Sequence, residues 1–224
     1  DAFDFWSLKP VVRHALPALG QADRDWARNP IDHFIAAKLA DKNLAHSVEA
    51  NRRTLLRRAY YDLIGLPPDP SEIDAFLSNP DPLAYEKRVE KLLAMPGYGE
   101  RWARHWLDVA RYADNKGYVG VGVDRRHPYS YTYRDYVVRA VSEGLPFSRF
   151  IIERSAADHL KLGDDRRPLA ALGYLPLGRP FLNREDDISD DRVDVVARGF
   201  MALTVTCARC HDHKYDPIPT ADYY

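Results

Sequence analysis

The stretch GERWARHWLDVARYA, residues 99–113, decides the fold class of this chain. Its apolar residues recur at the three- and four-residue spacing of an α-helix. They are Trp102, Trp106, Val109 and Ala110. Polar side chains including Arg104 and Asp108 lie between them, which predicts an amphipathic helix with its apolar side toward a core. His105, between the two tryptophans, makes the same helix a candidate for function.

Similar periods predict helices on both sides of this stretch. Asn29 followed by Pro30 is typical of an N-cap with proline at the first helical position, opening a helix to about Leu44. The other helices are predicted over residues 49–64, 71–77, 81–94, 131–142, 147–157 and 188–203. No set of alternating strands is evident. The predicted class is therefore all-α, a single mainly helical domain with long ordered loops.

The N-terminal segment has a different pattern. Residues 1–28 contain Pro10 and Pro17 and show no clear period, which predicts an extended N-terminal arm. The helical domain is expected to cover residues 29–224. Because the chain opens at Asp1 rather than at an initiator Met, we expect a piece excised from a longer chain.

Composition excludes several classes of partner. The formal net charge is −1, which gives no electrostatic reason to expect nucleic acid or an anionic membrane as partner. The sequence contains no run of 18 apolar residues, so no membrane span is predicted. With 46% hydrophobic and 29% charged residues, the composition is that of a globular protein.

The segment TVTCARCHDHKYDPIP, residues 204–219, holds the only two cysteines of the chain. Cys207, Cys210 and His211 form the Cys-x-x-Cys-His pattern of c-type haem attachment. Two thiols one turn apart can form thioethers with the two haem vinyl groups, and the next histidine then reaches the iron as proximal ligand. The pattern predicts haem c as cofactor.

Three other interpretations of this segment remain open. A redox dithiol has the same spacing but usually follows a strand. A structural zinc site needs four ligands, which the cysteine pair with His211 and His213 would supply. A short disulfide in an exported protein is the third.

Other residues near the two motifs are candidates for further roles. We expect His105 to be the distal iron ligand, with a structural core histidine as the alternative, and we assign Met201 to the core. Asp212 and Asp216 are interpreted as turn and capping residues, with a cation site or an acid/base pair as the alternative. Tyrosines of HPYSYTYRDY, residues 127–136, would line a sugar-binding groove or pack a half-buried helix start.

Acidic residues crowd the start of the last long helix, over residues 185–194. Carboxylates there complement the helix dipole. The arginines of the second predicted helix are the expected counter-charges, namely Arg52, Arg53, Arg57 and Arg58. Calcium binding is the alternative interpretation of this cluster.

Two long motifs, YGERWARHWLDVARYAD at 98–114 and CARCHDHKYDPIPTADYY at 207–224, resemble a planctomycete-type cytochrome-like domain family of unknown function. Segments 29–39 and 52–77 resemble its N-terminal half. The resemblance implies an exported, periplasmic or extracellular protein that is part of a large multidomain chain. It also implies a further domain downstream and, in some members, a cytochrome or sugar-binding module nearby.

These observations predict an exported c-type haem domain that transfers electrons to or from a partner domain or enzyme, with polysaccharide breakdown as one setting. The alternative is a non-haem metal-dependent enzyme or carbohydrate-binding module in which the two cysteines form a disulfide. Whether the protein catalyses a reaction is left open by the sequence.

Overall fold

The computed structural model describes residues 6–115, 127–178 and 184–224. The chain divides into two compact units, residues 1–51 and 52–224. The α-helices in the described ranges are α1 Gln21–Trp26, α2 Pro30–Asp41, α3 Arg52–Leu63, α4 Pro70–Ser78, α5 Ala84–Leu93, α6 Pro96–Val109, α7 Ser130–Ser142, α8 Phe147–Ala156, α9 Glu185–Val196 and α10 Thr220–Tyr223. The same ranges contain no β-strand, and the all-α class is confirmed.

The first unit contains the predicted arm and the first predicted helix. The arm lacks regular structure over residues 10–20 and then forms the short helix α1, which the sequence did not predict. Asn29 caps α2 as expected: its side chain accepts the backbone N–H groups of Ile31 and Asp32, while Asp32 accepts that of Asn29. This reciprocal capping box satisfies N–H groups that no helical carbonyl can reach. The predicted boundary between residues 28 and 29 falls inside this unit.

The apolar side of α2 does not face a core in the described structure. Ile31, Phe34 and Ile35, which the period places inward, are exposed, and Ala36 is the buried residue of this helix. Helical spacing identifies a face but cannot identify what covers it.

The second unit begins with a core formed by α3, α4 and α5. Leu56, Tyr60 and Leu92 are buried in it together with Phe76. Pro70 occupies the first turn of α4, where its missing N–H leaves no helical hydrogen bond unmade. Burial raises the pKa of Tyr60 to about 12, and its neighbour Glu72 adds to this effect.

A larger core is formed by α6, α7, α8, α9 and the 3-10 helix Arg167–Tyr174. Trp106, which is partly buried, packs against this core, with its ring against Phe150, Tyr174 and Phe200 at centroid distances of 4.8, 5.7 and 6.0 Å. Its indole N–H donates to the Tyr133 hydroxyl at 2.9 Å. Packing of this single side chain therefore joins four elements of the unit.

The inward side of α6 differs from the predicted one. Ala103, Trp106 and Ala110 face the core, whereas Trp102 and Val109 are exposed. Trp102 instead donates from its indole to the Asp62 carbonyl of α3 at 3.1 Å. The two tryptophans, four residues apart on α6, therefore contact different neighbouring elements.

A fully buried arginine sits inside the larger core. Arg154 is 0% exposed, with its guanidinium 2.9 Å from the ring centroid of Phe150 and 4.8 Å from that of Trp106. Its Nε donates to the Tyr133 hydroxyl at 3.2 Å, and Nη1 donates to the Phe150 carbonyl at 2.9 Å. Nη2 has no hydrogen-bond partner. Burial lowers the pKa of Arg154, because desolvation disfavours the charged form.

The end of α9 leads to the cysteine segment. The helix continues as a π-helical turn, Ala197–Met201, and a 3-10 turn follows at Thr206–Arg209. On the core side of α9, Asp191 pairs at 3.1 Å with Arg111, two residues past the end of α6, and Val195 is buried. Among the described residues, none of the helices has the length and apolar character needed to cross a membrane.

Candidate functional site

The two cysteines lie on one short turn at the surface. Cys207 and Cys210 are free thiols, and both are exposed. Ala208 between them is buried, and its N–H donates to the Val205 carbonyl at 2.9 Å. The N–H of Cys210 donates to the Cys207 carbonyl at 3.3 Å and closes the turn. The small residue at 208 thus holds the turn on the domain while both thiols face solvent.

His211 follows directly, and its ring is oriented by the backbone. Nδ1 lies 2.8 Å from the carbonyl oxygen of Asp212. A carbonyl oxygen only accepts, so Nδ1 carries the hydrogen and the lone pair is on Nε2. Metal-bound histidines are commonly held in this way, with one ring N–H on a backbone carbonyl and the other nitrogen on the metal. The exposed His211 ring is therefore in a tautomer suited to ligation through Nε2.

Arg209 anchors the turn to the acidic side of α9. Its Nη2 lies 3.1 Å from Asp187 Oδ1, and its Nε lies 2.7 Å from Asp190 Oδ2. One helical turn further on, Asp194 accepts the Thr206 hydroxyl at 2.8 Å. Spacings of three and four residues put these three acids on one face of the helix. The acidic cluster is thus the docking face for the cysteine turn.

The sequence assigned different counter-charges to this cluster, and that assignment was wrong. Asp187 pairs with Arg184 and Arg209, and Asp194 pairs with Arg198. Arg52, one of the predicted partners, instead donates to the carbonyls of Phe76 and Asn79. The observed partners are Arg184 and Arg198, three and four residues from the acids they pair with, and Arg209 of the cysteine turn.

The residues after the motif hold the chain in place as the turn interpretation predicts. His213, whose side chain is 8% exposed, accepts the Asp216 N–H on Nδ1 at 2.9 Å. Its own N–H donates to the Ile218 carbonyl at 2.9 Å. Asp212 Oδ1 accepts the N–H of Thr220, the first residue of α10. His213, Asp212 and Asp216 thus form hydrogen bonds that hold the loop between the cysteine turn and α10.

The four-ligand zinc arrangement considered from the sequence is not formed. Within residues 6–115, 127–178 and 184–224, no three His, Cys, Asp or Glu side chains are grouped to hold a metal ion. Nδ1 of His213 is already used by the Asp216 N–H. The acids of α9 are paired with arginines instead of forming a calcium loop.

An apolar cleft of about 510 Å³ lies beside the turn. Its walls include Val193 and Val196 of α9, Met201, Leu203 and Val205 of the segment before the turn, and Ile218. This volume falls within the range of about 300–1,000 Å³ that cofactor pockets occupy. Val205 joins the two features directly, because its carbonyl accepts the first hydrogen bond of the cysteine turn.

Residues 30–224 match PSCyt2, a family described as a protein of unknown function (DUF1549). The chain belongs to the PSCyt2 family. The predicted family resemblance is confirmed. No curated protein and no solved structure matches the chain. The family description names no reaction and no ligand.

His105 of the PSCyt2 domain, the expected distal iron ligand, contacts one of the two tryptophans between which it lies in the sequence. It is exposed on α6, with its ring centroid 5.4 Å from that of Trp102. Trp106 instead packs against the core. The alternative of a buried core histidine is wrong, because the ring is at the surface, and the role of His105 as an iron ligand stays a prediction.

The tyrosines of residues 127–136 divide between core and surface. Tyr133 and Tyr136 are buried at 1% and 3% exposure, and Tyr133 joins the Trp106 cluster. Tyr129 and Tyr131 are exposed. The half-buried helix start accounts for the buried pair, which is not accessible to a sugar.

Proposed function

We propose that the PSCyt2 domain binds one haem c through Cys207 and Cys210, with His211 as proximal ligand, and transfers electrons. The observation that carries this proposal is the combination of two exposed thiols on one turn with an adjacent imidazole. The Asp212 carbonyl holds that imidazole so that Nε2 is free to ligate. Bound haem supplies one-electron exchange at iron.

Attachment needs no oxidant or reductant. Each thiol adds across one vinyl C=C bond, so that a C–S bond forms and the thiol hydrogen goes to the other vinyl carbon. Both sulfurs must be reduced and accessible for this, and the exposure of Cys207 and Cys210 supports it. A disulfide between them would block the addition.

The chain's own residues position these groups. Arg209, held by Asp187 and Asp190, fixes the turn that carries both thiols. Hydrogen bonding to Asp187 raises the pKa of Arg209, and the guanidinium stays charged. The apolar cleft beside the turn would offer a surface for the porphyrin.

Electron transfer requires a partner that approaches the haem edge. The surface position of the cysteine turn favours transfer to or from a redox domain or protein that docks there. Covalent haem attachment of this type belongs to compartments outside the cytoplasm, so an exported, periplasmic or extracellular protein is part of the proposal. A link to polysaccharide breakdown stays a prediction.

The cysteine variants test this proposal. The parent, Cys207→Ser, Cys210→Ser and the double variant are produced with a c-type cytochrome maturation system and run on denaturing gels stained for haem peroxidase activity. We expect staining at the chain's position for the parent and none for the double variant, because thioethers survive denaturation. His159→Ala, an exposed histidine elsewhere, is the matched control and should stain like the parent.

The comparison of haem staining is valid only if the cysteine variants fold like the parent. Because both thiols are exposed, serine at 207 and 210 should leave the far-UV circular dichroism of the haem-free chain unaltered. An unstained parent, or a stained double variant, would contradict covalent attachment at these cysteines.

A further inference from the structure

Met201 is an exposed thioether at the edge of the apolar cleft. Its relative exposure is 55%, although a core position was expected from the sequence. The chain has two methionines, and the other, Met95, packs partly buried against the core of α3–α5. Met201 therefore has a position that core packing does not explain.

The backbone on both sides of Met201 has an unusual conformation. Residues 197–201 form a π-helical turn, a conformation that occurs frequently at functional sites. Gly199 has no room for a side chain, because a Cβ there would collide with the Tyr174 hydroxyl. Ala202 has φ of 56°, in the left-handed region that costs a residue other than glycine about 1–2 kcal/mol.

The π-helical turn separates two neighbouring side chains. Phe200 points inward, with its ring centroid 5.1 Å from Tyr174 and 6.0 Å from Trp106. Met201 next to it lines the cleft. The Leu203 N–H donates to the Ala197 carbonyl at 3.1 Å and closes the bend. The core thus holds the turn from one side while the thioether is left free on the other.

We propose that the sulfur of Met201 is the sixth ligand of the haem iron, opposite His211. This inference rests on the proposed function. Met201 lies six positions before Cys207, with five residues between them, and a fully extended chain of six residue steps spans up to about 20 Å, enough to pass around the edge of a porphyrin. Methionine with histidine is an established ligand pair for c-type haem.

The other donor groups on the cleft are less suited to this role. The Tyr223 hydroxyl donates to Asp190 at 2.9 Å. Burial and this hydrogen bond raise the pKa of Tyr223 to about 12, so its phenolate form is disfavoured. His105 packs against Trp102 on α6, whereas the contacts of the cysteine turn are with α9 and α10. Met201 has the one neutral, soft donor among the side chains described on the cleft.

A methionine ligand would set the direction of electron flow. Met/His ligation raises the reduction potential relative to two histidines. The PSCyt2 domain would then accept electrons readily from a donor of lower potential, with one electron reducing ferric to ferrous iron.

The test compares Met201→Ala, Met201→His, His105→Ala and Met95→Leu in haem-loaded protein. Visible spectra and midpoint potentials are measured, and haem staining on denaturing gels reports attachment. We expect the ferric parent to show the far-red charge-transfer band of a sulfur–iron bond. Met201→Ala should lose this band, shift the iron toward high spin and keep the haem attached. Met201→His should restore low spin without the band, at a lower potential.

His105→Ala and Met95→Leu should match the parent spectrum. If Met201→Ala also matches the parent, or if His105→Ala is the variant that changes spin state, the assignment of Met201 is overturned. A parent without attached haem contradicts the proposed function itself. A parent with attached haem and an unchanged Met201→Ala spectrum contradicts the ligand assignment alone.

Discussion

Trp106→Ala should lower the free energy of unfolding of the second unit by about 3–5 kcal/mol, the range for truncating a packed tryptophan. Trp106 contacts aromatic rings from three other elements and donates to the Tyr133 hydroxyl. Alanine would remove all of these contacts and leave a cavity that the surrounding rings cannot close. Urea unfolding, followed by the helical circular dichroism signal, measures this loss of free energy.

Trp102→Ala is the matched control on the same helix. This indole is 42% exposed, and its described hydrogen bond is with the Asp62 carbonyl. Its removal should cost about 1 kcal/mol, the typical net value of one hydrogen bond with modest packing. Equal losses for the two tryptophans would show that α6 is packed in another orientation.

Arg154→Ala should destabilise the second unit by about 2–5 kcal/mol, whereas Arg154→Met should stay within about 1.5 kcal/mol of the parent. The buried side chain fills the space between Phe150 and Trp106, and alanine would leave this space empty. Methionine fills most of the volume without placing a charge among aromatic rings. Because Nη2 has no partner and burial lowers the pKa of Arg154, removing the charge recovers a desolvation cost.

The same urea experiment separates volume from charge at this position. If Arg154→Met is as unstable as Arg154→Ala, the interaction of the cation with the rings stabilises the core more than its desolvation costs. Tyr133→Phe is a useful control, because it removes the hydroxyl that accepts from both Arg154 and Trp106 without changing the ring.

Local signals in the sequence were sufficient to predict most helices. The Asn29–Pro30 cap places the start of α2 correctly, and helical spacing predicts α4 and α7 to within one residue at each end, over residues 71–77 and 131–142. These signals act between residues one to four apart, so they can be interpreted without knowledge of the tertiary fold. Helix α6 begins at Pro96, three residues before the stretch 99–113 from which it was predicted.

Tertiary partners could not be predicted in this way. Helical spacing grouped Trp102 with Trp106, but the position of α7 and α8 decides that Trp106 is the one in the core. Met201 was assigned to the core because the last helix was expected to run to residue 203. The change to a π-helical turn after Val196 rotates that side chain outward.

For the site, the motif spacing identified Cys207, Cys210 and His211 but not the residues that hold them. The pairing of Arg209 with Asp187 and Asp190 depends on how the turn docks on α9, which no local pattern reveals. The hydrogen bond from His211 to the Asp212 carbonyl depends likewise on the backbone conformation of the turn.

The most direct test of the central claim is the intact mass of the parent chain, produced with a c-type cytochrome maturation system and measured after denaturation and extraction with acidified organic solvent. Free haem passes into the solvent under these conditions, whereas haem bound through two thioethers stays with the chain. Attachment at Cys207 and Cys210 predicts the mass of the polypeptide plus one haem. The mass of the bare polypeptide, with any haem recovered in the solvent, would contradict it.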